Sequence, residues 1–209
     1  KLYVPRGKYT MVAIAAATDN PSKDNKVSIK SQTKVVFPNN EVTDMFYTYQ
    51  DIAVKDREER QNCDCILKRG VSVLVLDSRL EIRPDYIKSF KYTITGNCGN
   101  VFNPSTGHCL EKTTLTKTYD ISGNQYKGKK IMFSSYFFLG EDNVTDITLA
   151  TQSVDTENNV AKELSFENVH MVKGKMTTYK GPFLSTHSAA SFIIDSPTIP
   201  DSGFSTEFE

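Results

Sequence analysis

The sequence predicts an all-β protein built as a sandwich of antiparallel sheets, and three observations carry that prediction. Val, Ile, Thr, Phe and Tyr number 16, 13, 21, 12 and 10 against only 9 Ala and 11 Leu, a balance that favours extended chain over helix. Short apolar runs recur at intervals of about 10 to 15 residues with turn residues between them. No stretch between those runs carries the 3.6-residue apolar period of an amphipathic helix.

The elements follow in order. Residues 8–17, bounded by Arg6-Gly7 and Asp19-Asn20-Pro21-Ser22, read as a buried strand with both faces mostly covered. Irregular chain with short extended pieces follows, through Val35-Val36-Phe37 and Asp44-Met45-Phe46-Tyr47-Thr48-Tyr49. The charge run Lys55 to Asn62 has no apolar face and reads as an interdomain connection, or as a solvated hairpin loop within one domain. Val71 to Leu76 is a strand, Ile87 to Thr95 another, and Leu110 to Tyr119 an exposed or edge strand rich in threonine. Lys130 to Leu139 is a strand with an aromatic end. Asp146 to Val154 and Val160 to Phe166 flank a hairpin turn at 155–159.

Charge and length exclude several functions. The 25 basic and 25 acidic residues cancel, so there is no basic excess for phosphate backbones or for an anionic membrane surface. The apolar stretches at 11–17, 71–76 and 131–139 fall far short of the roughly 20 residues a spanning helix needs. Lys1 to Pro5 reads as the end of a strand rather than a signal peptide, so an upstream segment is expected to be missing.

Candidate chemistry is sparse. Gly123 to Lys130 resembles a phosphate-binding loop, but Lys130 stands where a magnesium-holding hydroxyl belongs, and a strand follows where a helix is needed. The histidines His108, His170 and His187 are scattered, and only Cys63-Asp64-Cys65 is clustered among the potential zinc ligands. Glu141, Asp142, Asn143 and Asp146 lack the alternation and central glycine of a calcium loop. Asn143-Val144-Thr145 fits a glycosylation site only in a eukaryotic secreted chain. No nucleophile elbow or carboxylate pair stands out, so no catalytic residue, metal ligand or cofactor is expected. Cys98 and Cys109 flank a loop rich in Gly, Asn and Pro that brings its ends together at low entropic cost, making them the expected disulfide in an exported protein, with two free thiols as the alternative.

Two segments together resemble a known family. One is Tyr3-Val4-Pro5-Arg6-Gly7-Lys8-Tyr9-Thr10-Met11-Val12-Ala13, with Asp44 to Tyr47 and Ile52 to Val54 after it. The other runs from Leu164 to Leu184, and Ile66 to Arg69 followed by Val71 to Leu76 resembles the strand that opens its domain. These are similar to the fimbrillin-like proteins of the Bacteroidales, the type V pilins with their anchor and tip subunits. The first segment resembles that family's leucine-proline-x-glycine-x-tyrosine turn. The second matches its asparagine-valine-proline turn and following strand, with His170 in place of the proline and Lys173-Gly174-Lys175 in place of an arginine-asparagine pair.

The resemblance implies two transthyretin-like β-sandwich domains. Residues 1–58 would be the C-terminal part of an incomplete first domain, and residues 59–209 the second. It implies a lipoprotein precursor, membrane-bound only through a lipid anchor on the missing upstream segment, and a place at the outer membrane or in the fimbrium. Its partners would be other fimbrial subunits, joined by donated strands, with host or bacterial surface ligands as possible targets of adhesion. Phe192, Ile193 and Ile194 are the candidate donor strand, with Phe192 and Ile194 facing the groove or, one residue out of register, Ile193. The tail read instead as the last strand of its own sandwich is the alternative. A carbohydrate-binding surface lipoprotein is the alternative function, with Tyr47, Tyr49 and Tyr126 as its aromatic platforms and no tryptophan to help them.

Overall fold

The computed structural model describes residues 4–17, 27–37, 41–55, 61–186 and 191–198. Four strands occupy the first part: β1 (Gly7–Ala16), β2 (Ser28–Ser31), β3 (Lys34–Val36) and β4 (Met45–Val54). Twelve follow: β5 (Lys68–Arg69), β6 (Ser72–Asp77), β7 (Ile87–Gly96), β8 (Cys98–Gly99), β9 (Val101–Asn103), β10 (His108–Cys109), β11 (Leu115–Asp120), β12 (Met132–Leu139), β13 (Val144–Asp155), β14 (Val160–Val172), β15 (Met176–Lys180) and β16 (Ile193–Thr198). The described residues are all-β apart from one turn of 3-10 helix at Asn124–Tyr126.

Two sheets form the main sandwich. One has the order β11-β7-β13-β14, the other β16-β15-β6-β12-β8. Alternation places Tyr92 and Ile94 of β7, Ile147 and Leu149 of β13 and Leu74 and Leu76 of β6 in one core with Phe133 and Phe137 of β12. Phe90 stacks on Phe133 with ring centroids 4.2 Å apart. The hairpin expected at 155–159 is present: the Asp155 carboxylate accepts the Glu157 and Asn159 N–H groups at 2.9 and 2.8 Å, and Asn158 takes a φ of 72°.

Every residue of β6 is buried, because Val73 and Val75 on its outer face join Met132 in a second apolar layer. One pairing differs from the antiparallel expectation: β15 runs parallel to β6, from Met176 opposite Val73 to Lys180 opposite Asp77. The short turn at 173–175 carries the chain from β14 in one sheet to β15 in the other, and the Val73 N–H donates to Lys175 O at 3.0 Å to seat it. A strand that changes sheets in this way takes its direction from the crossing rather than from a hairpin.

The first part of the chain lies against one end of this sandwich. β1 and β4 pair antiparallel from Gly7 opposite Val54 to Ala16 opposite Met45, and β5 completes their sheet. β2 and β3 join β9 and β10. Residues 8–17, expected as a buried strand, are only half covered, with Tyr9 at 37% exposure. β1 is the edge of a three-stranded sheet, and among its described residues Ile14 and Ala16 alone pack against a buried core. A third core gathers Val35, Phe37, Met45 and Tyr47 with Val71, Phe102 and Phe138. It therefore draws side chains from both sides of residue 58. The charge run at 55–62 falls largely outside the described residues.

Candidate functional site

The C-terminal strand carries the sequence's main functional candidates. After β15, Phe183 and Leu184 are buried, and the chain returns through Phe192 into β16. Gly181 makes this return possible, since a Cβ there would lie 2.2 Å from the Phe192 ring. The Phe192 ring instead settles against Phe166 at 4.9 Å and Phe183 at 5.0 Å. β16 then pairs antiparallel with β15, Ile193 opposite Lys180, Ile194 opposite Tyr179 and Asp195 opposite Thr178, and Lys180 Nζ meets Asp195 Oδ2 at 2.6 Å. Ile193 and Ile194 are 56% and 58% exposed. Phe192 thus enters a pocket, while neither isoleucine does. β16 is the last strand of its sheet among the described residues.

Polar contacts that sequence reasoning missed fix the approach to β16. Glu81 accepts the Leu184 and Ser185 N–H groups at 2.7 and 2.9 Å and the Ser78 hydroxyl at 2.7 Å. Lys162 on β14 donates to the carbonyls of Pro182 and Ser185 at 2.6 and 2.7 Å. Burial lowers the pKa of this ammonium, and Glu81 works against that shift. No sequence signal marks Glu81, whose backbone partners Leu184 and Ser185 lie about a hundred residues away.

The segment between Cys98 and Cys109, read from the sequence as a loop, contains β8, β9 and β10. Cys98 is fully buried on β8 and Cys109 half-buried on β10, and the two are not bonded. Burial, with Cys109 beside it, pushes the Cys98 thiol up to about 12, which disfavours its thiolate. Cys63 and Cys65 are exposed.

The remaining candidates are dispersed. His170 Nδ1 lies 3.1 Å from Asp146 Oδ1, His108 sits on β10, and His187 lies outside the described residues. Among the described residues no three His, Cys, Asp or Glu side chains gather as a metal set. Gly123 to Lys130 folds as a 3-10 turn and a bend at Gly128 (φ 67°) leading into β12, without the helix a phosphate loop requires. Tyr47 is 1% exposed and packs edge-on to Phe102 at 4.6 Å, so it cannot serve as a stacking platform, whereas Tyr49 and Tyr126 are half-buried.

With that geometry in place, comparison with known proteins gives one assignment. The model of a family of unknown function, DUF6562, matches residues 21–207. The chain belongs to DUF6562. No curated protein matches this DUF6562 chain. Among solved structures it is similar to a crystal structure described as a "putative adhesin" from Bacteroides ovatus, with 12% identity, a TM-score of 0.48 and coverage of 78% of this chain and 66% of that one. It is also similar to a second, from Bacteroides thetaiotaomicron and described in the same words, with 13% identity, a TM-score of 0.44 and coverage of 93% and 77%. The DUF6562 chain thus spans just under two thirds of the first of these proteins.

Proposed function

We propose that this DUF6562 protein is a non-catalytic structural and adhesive subunit of cell-surface fimbriae, exported, anchored through lipid on an upstream segment, and joined to other subunits by exchange of its C-terminal strand. The observation that carries this reading is the way β16 is held. Among the described residues it lies at a sheet edge, with Phe192 just before it packed against the sandwich core and two exposed isoleucines following. The Lys180–Asp195 ion pair that accompanies it is more than a third exposed at both ends and adds little. A β16 from a second copy makes the same ladder on β15 and fills the same place beside Gly181, so exchange conserves every contact and only the connecting segment changes course. The motif resemblance to fimbrillin-like subunits supports the same reading. No helix among the described residues is long and apolar enough to cross a membrane.

Deletion tests it. In cells expressing the protein from its native gene, removal of 191–209 should leave exported protein but no surface polymers under negative stain. Polymers that persist at normal length after this deletion count against strand exchange.

A further inference from the structure

Eight strands end the four sheets among the described residues, and seven of them are guarded against further pairing. β5, β8 and β10 are two residues long. β2 has four residues with Lys30 among them, and β11 carries Lys117 and Asp120. β14 shifts register against β13 between Ile147 and Leu149 and carries Lys162, Glu163 and Glu167. β16 contains Pro197, which has no N–H to give. Shortness, charge, bulges and proline are the devices that keep a sheet edge from adding a strand. β1 is the exception: it is ten residues long, keeps an unbroken register with β4, and carries one charge, at Lys8 near its start.

The ladder also fixes which way the β1 backbone points. The Ala17 N–H donates to Asp44 O at 2.8 Å, and on the far side of β4 the Gly70 N–H donates to Met45 O at 2.9 Å. Hydrogen-bonded pairs alternate along an antiparallel ladder, so Tyr9, Met11, Ala13 and Ala15 turn their N–H and C=O groups toward β4. Those of Lys8, Thr10, Val12, Ile14 and Ala16 point outward, where no described strand receives them. Thr10, Val12, Ile14 and Ala16 are only half-buried. A regular row of free donors and acceptors on a nearly uncharged strand is a template for another strand.

We propose that this edge binds a second copy of the chain, β1 against β1, antiparallel about a two-fold axis at Val12. Such a contact is isologous, so the edge must complement itself. It does: Lys8 faces the partner's Ala16, Thr10 faces the partner's Ile14 and Val12 faces the partner's Val12, and each facing pair of outward residues exchanges two N–H···O bonds. No like charges come opposite one another, the arrangement that destabilises a cross-strand pair. The two three-stranded sheets become one sheet of six across the axis. A single pair of strands is small beside a standard interface of about 800 Å² per partner, so the association is weak and depends on concentration. The inference is independent of strand exchange, since no residue of β15 or β16 takes part.

The test is amide hydrogen exchange by NMR on the isotopically labelled full chain at rising concentration, with the mass followed by sedimentation equilibrium. A dimer should form at the higher concentrations. Protection should rise with it at Thr10, Val12, Ile14 and Ala16, while Met11, Ala13 and Ala15, bonded to β4, stay protected throughout. A chain that is monomeric at every concentration overturns the proposal. So does a dimer whose outward β1 amides exchange as in the monomer, which assigns the contact to another surface. Val12→Pro removes an outward N–H and no bond to β4, and should abolish the dimer. Val12→Lys keeps the backbone and sets lysine opposite lysine, and Val12→Glu does the same with carboxylates. Each alone should dimerise about two- to fivefold more weakly than the parent, and a mixture of the two should associate more tightly than either. The proposal is also overturned if Val12→Pro and Val12→Lys both dimerise as the parent does, or if the mixture is no tighter than its components.

Discussion

Gly107 answers two demands at once, a φ of 75° and a space into which no Cβ fits. Gly128 answers only the first, with a φ of 67° and nothing within 4 Å of its missing Cβ. Replacing Gly128 with Ala should therefore cost about 1 kcal/mol of backbone strain. Gly107→Ala should cost about 2–4 kcal/mol, strain plus the clash with the Tyr47 hydroxyl. Urea unfolding of the two variants measures the difference, and equal losses would remove the steric part of the explanation. His108 gives a pH dependence. Burial and the Lys173 charge hold its imidazole below the ordinary 6.5. The unfolded chain thus takes up a proton that the fold resists, so stability falls as pH drops from about 6.5 through the folded value and levels off below it. Urea midpoints near pH 7.5 and 5.5 should differ less in His108→Gln than in the parent. For the cysteines, we propose that an oxidising compartment joins Cys98 to Cys109. Alkylation under denaturing conditions without reductant should then block Cys63 and Cys65 alone, and modification of all four thiols contradicts it.

Elements show where sequence legibility stops. The period-2 pattern of residues 87–95 and the turn at 155–159 were readable because each is set by neighbours in the chain. The parallel seat of β15 beside β6 was not, because alternation carries no information about strand direction. Residues 8–17 misled on burial for a related reason: alternation tells which residues share a face, not whether anything covers it. Within the candidate site the candidate strand Phe192 to Ile194 was legible as a β-prone run, but its clamp was not. Glu81 sits among turn residues and meets Leu184 and Ser185 only through the fold. Glu81→Ala should lose about 2–3 kcal/mol, since two backbone N–H groups and a hydroxyl lose a charged acceptor. Hydrogen exchange should speed first at Leu184, Ser185 and the β15–β16 ladder; unchanged exchange there would separate Glu81 from the holding of β16.

For the whole molecule, the aromatic cluster of Phe37, Phe102 and Phe138 decides how independent the two proposed domains are. Phe138 on β12 lies 4.7 Å from Phe102 and 5.7 Å from Phe37 by ring centroids, so one side chain serves both halves of the chain. Phe138→Ala should cost about 3–5 kcal/mol and reduce exchange protection in β4 as well as β12. Protection lost in β12 alone would mean two separately stable bodies. The central claim concerns β16, which closes its own sheet in a single chain and is proposed to close a neighbour's in the fimbrium. Thr178 and Asp195 face each other across that ladder, and strand neighbours of this kind lie within the Cα separation a disulfide accepts. The most direct measurement is polymer formation by Thr178→Cys/Asp195→Cys, with the bond confirmed by mass, compared with and without reductant. The account predicts folded, exported subunits that form no polymers while the bond is closed and regain them on reduction; polymers that form normally with the bond closed would contradict it.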